Sequence, residues 1–334
     1  MRRSLFVVCA LVAVAGALAS CKKSLLADRA VTLVMAEVNP AETIAGQMDQ
    51  AFKRKVEELS EGNIKIDLHC SGILGDVDSV MALMMKPNST IQIHRMSAVN
   101  MASYGCEQSS LLGIPYTFAS KEAFWMFVQS DIARQILDEP VDTVGVKGLF
   151  FAEEGFRHFF STKKITSVND FKGLNVRGTN DAAMQGLIKA FGATSVPVNY
   201  ADLYAKLQTG VISVAEQPIA NYFANHFYEV APYMVLDGHT LGVMEMVITM
   251  EAWNSLSERQ QKILLEAGKY ASDFCRKLSQ EEEDKFRRQL IANGATITDV
   301  KDVSSWQKAC ADVIKEASSV DASLYAKILA YSRK

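Results

Sequence analysis

The stretch from Ser257 to Asn293 constrains this chain most. Ser257 is placed to cap a helix, and Gln260, three residues on, to reach back to the capping backbone. Helix-compatible residues then run unbroken to Ala292, where Asn293-Gly294 supplies the stop. A helix of about 35 residues is roughly 50 Å long at 1.5 Å per residue, too long for one small domain. It is predicted to span two. The length of 334 residues agrees, at about 100–200 residues per domain.

The rest of the chain alternates strand and helix signals, which predicts an α/β fold. Val31–Ala36 is β-branched, and Ile44, Met48, Phe52, Val56 and Leu59 recur at helical spacing before Gly62. Ile64–Leu68, Asp76–Met85, Ile91–Ile93, Phe124–Leu137 and Lys147–Ala152 continue the alternation. A second block starts near Gly155, with a helix over Ala182–Phe191, a strand over Val196–Val198 and a helix over Ala201–Leu207.

Arg2 and Arg3 precede an apolar run, Leu5 to Leu18, that closes on Leu18-Ala19-Ser20-Cys21. A charged start, a short apolar stretch and small residues before a cut make residues 1–20 a secretory signal. The run is too short to cross a bilayer, which needs about 20 residues. The tetrapeptide resembles the lipobox of bacterial lipoproteins, so Cys21 is the expected lipidation site and residues 21–30 a tether. That places the protein in the periplasm, anchored to a membrane by acyl chains. Leu241–Met250 is also apolar, but it is short and carries Glu245.

Lys plus Arg total 35 against 38 Asp plus Glu, so no basic excess exists to neutralise a phosphate backbone. Nucleic acid is excluded as a partner on that ground. Beyond the signal and Cys21, Cys70, Cys106, Cys275 and Cys310 are far apart, unlike the close pairs that hold zinc. Buried free thiols are expected, with disulfides the alternative. No nucleophile elbow, phosphate loop, HExxH or GxGxxG motif is present, and the five histidines show no ligand spacing. Neither an enzyme nor a cofactor or metal is expected. Asp76 and Asp78 fall where acids cap a helix, and Glu281–Asp284 is expected as a solvated helix face.

Two segments carry more. Asp170-Phe171-Lys172-Gly173-Leu174-Asn175-Val176-Arg177 places an arginine at the end of a short strand, where α/β sheets put ligand groups. A guanidinium there can fork onto a carboxylate. The other runs from Phe191-Gly192-Ala193 through Leu207-Gln208-Thr209-Gly210-Val211 to Glu216-Gln217-Pro218. Together they resemble the "DLKGLKIR", "GA-x-P-x-P" and "ALQTGVVDG-x-E-x-P" patterns of the DctP-like solute-binding proteins of TRAP (tripartite ATP-independent periplasmic) transporters. Ser71-Gly72-Ile73-Leu74-Gly75, Leu112-Gly113-Ile114-Pro115-Tyr116 and Gly155-Phe156-Arg157 resemble further family segments, in order over about residues 30–290.

The resemblance implies two α/β lobes with a ligand cleft between them and the long helix across both. Lobe I is then 31–154 plus 242–282, and lobe II is 155–241 plus 283–334, with crossings near Glu154 and Leu241. It implies that Arg177 grips a substrate carboxylate and Arg157 assists. Tyr200 packs beside them, and Gln217 stands where the family has an asparagine. Asp76 completes the candidate set. The implied partners are a small carboxylate solute and the membrane subunits of a TRAP permease, with a tetratricopeptide-repeat protein a further candidate.

The sequence departs from the family at Ser213, Val214 and Gln217. Valine in place of a glycine predicts a changed loop geometry if the backbone there needs a positive φ. With Phe150, Phe151, Phe156, Phe159 and Phe160 clustered, the alternative reading is a lipid-anchored carrier of a hydrophobic ligand, or a scaffold for a periplasmic protein partner.

Overall fold

The computed structural model describes residues 28–178 and 181–332. The signal segment 1–20, the expected lipidation at Cys21 and most of the tether lie outside the described residues. The strands are β1 (Val31–Ala36), β2 (Ile64–His69), β3 (Ile93–Ser97), β4 (Val146–Ser161), β5 (Asn175–Gly178), β6 (Thr194–Pro197), β7 (Val214–Pro218), β8 (Tyr233–Thr249) and β9 (Thr296–Asp299). The helices used below are α1 (Ile44–Leu59), α2 (Val77–Met84), α3 (Lys121–Val128), α4 (Ile219–Ala224), α5 (Glu258–Ala292) and α6 (Ala322–Ser332).

Two lobes of mixed α/β structure share one sheet, in the order β2-β1-β3-β8-β4-β7-β5-β6, with β9 on β8. The antiparallel ribbon of β4 and β8 is the shared spine. Residues 244–248 of β8 pair with β3 in the first lobe, and 233–236 pair with β9 in the second. Residues 157–161 of β4 pair with β7 on their other edge. The register slips between Glu153 and Phe156, where pairing passes from one lobe to the other, and Gly155 stands there at φ +99°. A slip of this kind bends a strand and raises its twist.

The long helix forms as expected. Ser257 accepts from the Gln260 amide, and the Ser257 amide donates to the Gln260 side chain at 3.0 Å. Leu264, Ala267, Ala271 and Cys275 of α5 pack with Phe52 of α1 and Phe150 of β4. Leu290, near its other end, packs with Tyr222 of α4 and with Phe227. One helix therefore serves the cores of both lobes.

Several elements differ from the sequence expectation. The strand expected over Lys147–Ala152 continues to Ser161, and the apolar run at Leu241 is the second half of β8. Both strands are covered on two faces, so neither shows the alternation that marks a half-exposed strand. The helix expected over Phe124–Leu137 is two, because Ser130 starts a new one by accepting from the Ala133 amide. Residues 322–332, expected in lobe II, pack elsewhere: Leu324, Tyr325 and Ile328 of α6 meet Phe118, Phe124 and Phe127 around α3. Cys70, Cys106, Cys275 and Cys310 are free, and all but Cys70 are buried. Among the described residues no helix is long and apolar enough to cross a membrane.

Candidate functional site

β5 carries Arg177 to its end, where the parallel neighbour β6 stops at Pro197, which cannot donate to a further strand. The Arg177 Nε donates to the Val198 carbonyl at 3.2 Å. Its terminal nitrogens make no hydrogen bond among the described residues, and the nearest carboxylate, Glu216 Oε1, is 3.8 Å from Nη1. Burial pulls the guanidinium below its ordinary pKa, Glu216 offsets only part of that, and Arg157 adds to it. Arg177 is thus a desolvated cation with two donor groups unspent, on the wall of a cavity of about 500 Å³ between the lobes.

Glu216, on the neighbouring strand β7, is already occupied. Arg157 of β4 forks onto it, with Nη2 to Oε1 at 3.0 Å and a short Nε contact to Oε2. The His239 Nε2 lies 3.7 Å from Oε2. Burial alone would raise the Glu216 carboxyl, but Arg157 and His239 hold it at about 2. Burial would likewise lower His239, yet Asp237, 2.7 Å from Nδ1, and Glu216 hold it at about 9. The remaining Arg157 nitrogen meets Glu154 at 3.1 Å. A branched network of alternating charges centred on Glu216 so lies behind the cavity wall, and Arg177 is the member that lines the cavity.

The opposite wall comes from the first lobe. Ser71 at φ +63°, Gly72 at +66° and Gly75 at +126° turn the chain out of β2 and into α2. Only glycine is comfortable at the last of these. Asp76 caps α2 by accepting from the Ser79 amide at 2.8 Å, and Asp78 accepts from the Tyr104 hydroxyl at 2.7 Å. Both line the cavity. On the second-lobe side Tyr200 also lines it, its hydroxyl accepting from Asn225 Nδ2 at 2.9 Å and its ring edge-on to Phe227.

Of the residues expected from sequence, the structure brings Arg177, Tyr200 and Asp76 together on the cavity and leaves two behind it. Arg157 does not reach the wall, because its donors are committed to Glu216 and Glu154. Gln217 is buried, with its Oε1 accepting from Asn221 at 3.4 Å. Neighbouring residues of a strand face opposite ways, so Glu216 and Gln217 cannot both turn toward Arg177. Sequence reasoning missed Glu216 as the anchor of the site, and Asn225 as part of its wall. Glu216 stood inside the quoted motif, and the period of two along β7 was the available signal. The clustered phenylalanines are core: Phe150, Phe151, Phe159 and Phe160 are buried, and none of them, nor Phe156, lines the cavity.

A family model described as bacterial extracellular solute-binding protein, family 7 (DctP), matches residues 35–320. The chain belongs to this family. A solute-binding protein of Sulfitobacter sp. (strain NAS-14.1) is 27% identical over 249 residues, 74% of this chain and 75% of that one. A TRAP periplasmic solute-binding protein of Pseudomonas putida F1, solved with bound D-glucuronate, superposes with a TM-score of 0.85 at 22% identity. The match covers 89% of this chain and 96% of that one. Another from Polaromonas sp. JS666, bound to D-erythronate, gives 0.85 at 24% identity, over 90% and 98% of the two chains.

As a family 7 protein the chain is an extracytoplasmic solute receptor of the TRAP type. The departures from the family pattern sit quietly in the structure. Val214 is buried in β7 and has no positive φ, so the expected change of loop geometry does not arise there. Gly210, at φ +73°, turns the chain before it. The Ser213 hydroxyl donates to the Asn175 carbonyl at 3.3 Å, tying the approach of β7 to the start of β5.

Proposed function

We propose that the solute carries a carboxylate and that Arg177 grips it, with Tyr200 and Asp76 on the walls around it. The observation that carries this reading is Arg177 itself: a buried guanidinium on the cavity wall whose terminal donors have no hydrogen-bond partner among the described residues. A forked carboxylate supplies both the missing charge and the missing acceptors. The acids named for the Pseudomonas and Polaromonas proteins are of the class this geometry accepts. Arg157 and Glu216 act behind it as positioning residues. Lobe closure about Glu154–Gly155 and Leu241 would enclose the solute, with 31–154 plus 242–282 moving against 155–241 plus 283–321. The closed receptor would then hand it unchanged to a TRAP permease, from a membrane anchor at Cys21.

The test is calorimetry of D-glucuronate and a series of simple carboxylates against wild type, Arg177→Ala and Arg177→Lys. Removing one partner of a buried charged pair costs on the order of 2–5 kcal/mol, or roughly 30- to 4,000-fold in affinity. Arg177→Lys keeps the charge but loses the fork, and falls between. Equal binding by wild type and Arg177→Ala, within about threefold, would defeat the carboxylate reading.

A further inference from the structure

The charges lining the cleft do not match a dianionic solute. Arg177 is the one cation among the described lining residues, and it stands against three carboxylates, Asp76, Asp78 and Asp202. None of the three has a cationic partner within ion-pair distance among the described residues. Asp76 is held below the ordinary carboxylate value by the Ser79 hydroxyl and amide, so it is charged at neutral pH. The N-terminus of α2 offsets at most about half a charge. The cleft is therefore net negative, with its positive end at Arg177 in one lobe and its negative wall at Asp76 and Asp78 in the other.

We infer that the natural solute is zwitterionic, its carboxylate on Arg177 and an ammonium or other cationic group against Asp76 and Asp78. The inference rests on the reading of Arg177 as the carboxylate grip and adds the chemistry of the solute's other end. Arg177 is about nine-tenths buried, and its unspent donors face the same cavity that the two carboxylates line. A second carboxylate placed at the far wall would meet like charge, whereas an ammonium would complete both walls and favour closure of one lobe on the other. The hydroxyls of Ser71 and Ser103 lie on the same wall and suit an ammonium, which needs three acceptors.

The experiment is calorimetry with three matched series of four- to six-carbon probes: ω-ammonium carboxylates, ω-hydroxy carboxylates and dicarboxylates. Each is measured with wild type, Arg177→Ala, and Asp76→Asn combined with Asp78→Asn. Asparagine keeps the cap of α2 and the acceptor for Tyr104, so the double variant should fold. Wild type is expected to bind the best ammonium carboxylate at least about tenfold tighter than the dicarboxylate of like length, and the double variant to lose that preference. Dicarboxylates or hydroxy carboxylates binding as well as ammonium carboxylates in wild type, or a preference that survives in the double variant, would overturn the inference. Loss of every probe in Arg177→Ala then leaves the carboxylate reading standing by itself. If no probe binds wild type at millimolar concentration, the zwitterion inference falls, and the carboxylate reading falls with it if D-glucuronate fails to bind as well.

Discussion

At the scale of single residues, the cleft is organised by a group that points away from the solute. Glu216 is buried and receives Arg157 and His239, so that Arg177 beside it keeps its terminal donors free of hydrogen bonds among the described residues. Taking away the charge leaves Arg157 with Glu154 alone and His239 with Asp237 alone, and breaking a buried pair from one side costs about 3–5 kcal/mol. Glu216→Gln is expected to lower the unfolding free energy by that order in urea titrations, and a loss under about 1 kcal/mol would show the network to be dispensable. A strand-end arginine by itself is most often a surface ion pair; the family resemblance singled out Arg177, and the structure sets it on the cavity wall. Arg157, expected to assist, lies behind the wall on Glu216, because a motif reports proximity in the chain, not which arginine finds an acid first. Only the register of β4 against β7, Arg157 opposite Pro218, decides that.

At the scale of elements, α5 shows how a local rule yields to packing. Gly268 lies mid-helix, where alanine is ordinarily better by about 1 kcal/mol. A Cβ at Gly268 would come within 2.6 Å of the Phe150 ring, which belongs to the core beneath. Overpacking of this kind costs about 1–3 kcal/mol, so Gly268→Ala is expected to destabilise in spite of its helix propensity. Stabilisation in thermal unfolding would mean that Phe150 yields freely. Ser257→Ala should cost about 1 kcal/mol through the lost cap, at a position far from the cleft and without effect on solute affinity. The caps, the stop and the length of α5 were all written locally, and the sequence reading of it matches the structure. β4 and β8 were not, since strands buried on both faces lose the alternation that distinguishes them from other apolar runs.

At the scale of the whole molecule, the buried charges set how stability follows pH. Glu37 and Glu216 are pulled by their arginines, against burial, to about 2, so their contribution is present above the ordinary value near 4.5 and lost as pH falls through 2. Burial lowers His94 and His158 to about 4, so stability also drops as pH falls from 6.5 to 4. Several groups act on the other side, among them Asp49, whose carboxyl burial and the neighbouring Glu37 raise well above its ordinary value, Glu245 and His239. Burial raises Glu245 to about 8, so the unfolded chain ionises first and folding loses ground from 4.5 up to 8. His239, held at about 9, contributes fully below 6.5 and loses that contribution as pH rises through 9. Between 4.5 and 6.5 the histidines' gain runs against the loss from Glu245; above 6.5, Glu245 and His239 both pull down. Each is worth about 1.4 kcal/mol per pH unit at full slope, so the unfolding free energy should fall by about 2–4 kcal/mol from pH 6.5 to 8. Glu245→Gln keeps a partner for the Ser109 hydroxyl and removes the ionisable group. It should remove the share of that decline that belongs to Glu245 and raise stability at pH 8, while leaving the Arg177 side of the cleft untouched. Urea titrations at fixed ionic strength across this range decide the matter. A wild-type curve that is level or rising to pH 8 would mean that the buried network and Glu245 do not hold their protons as the geometry requires.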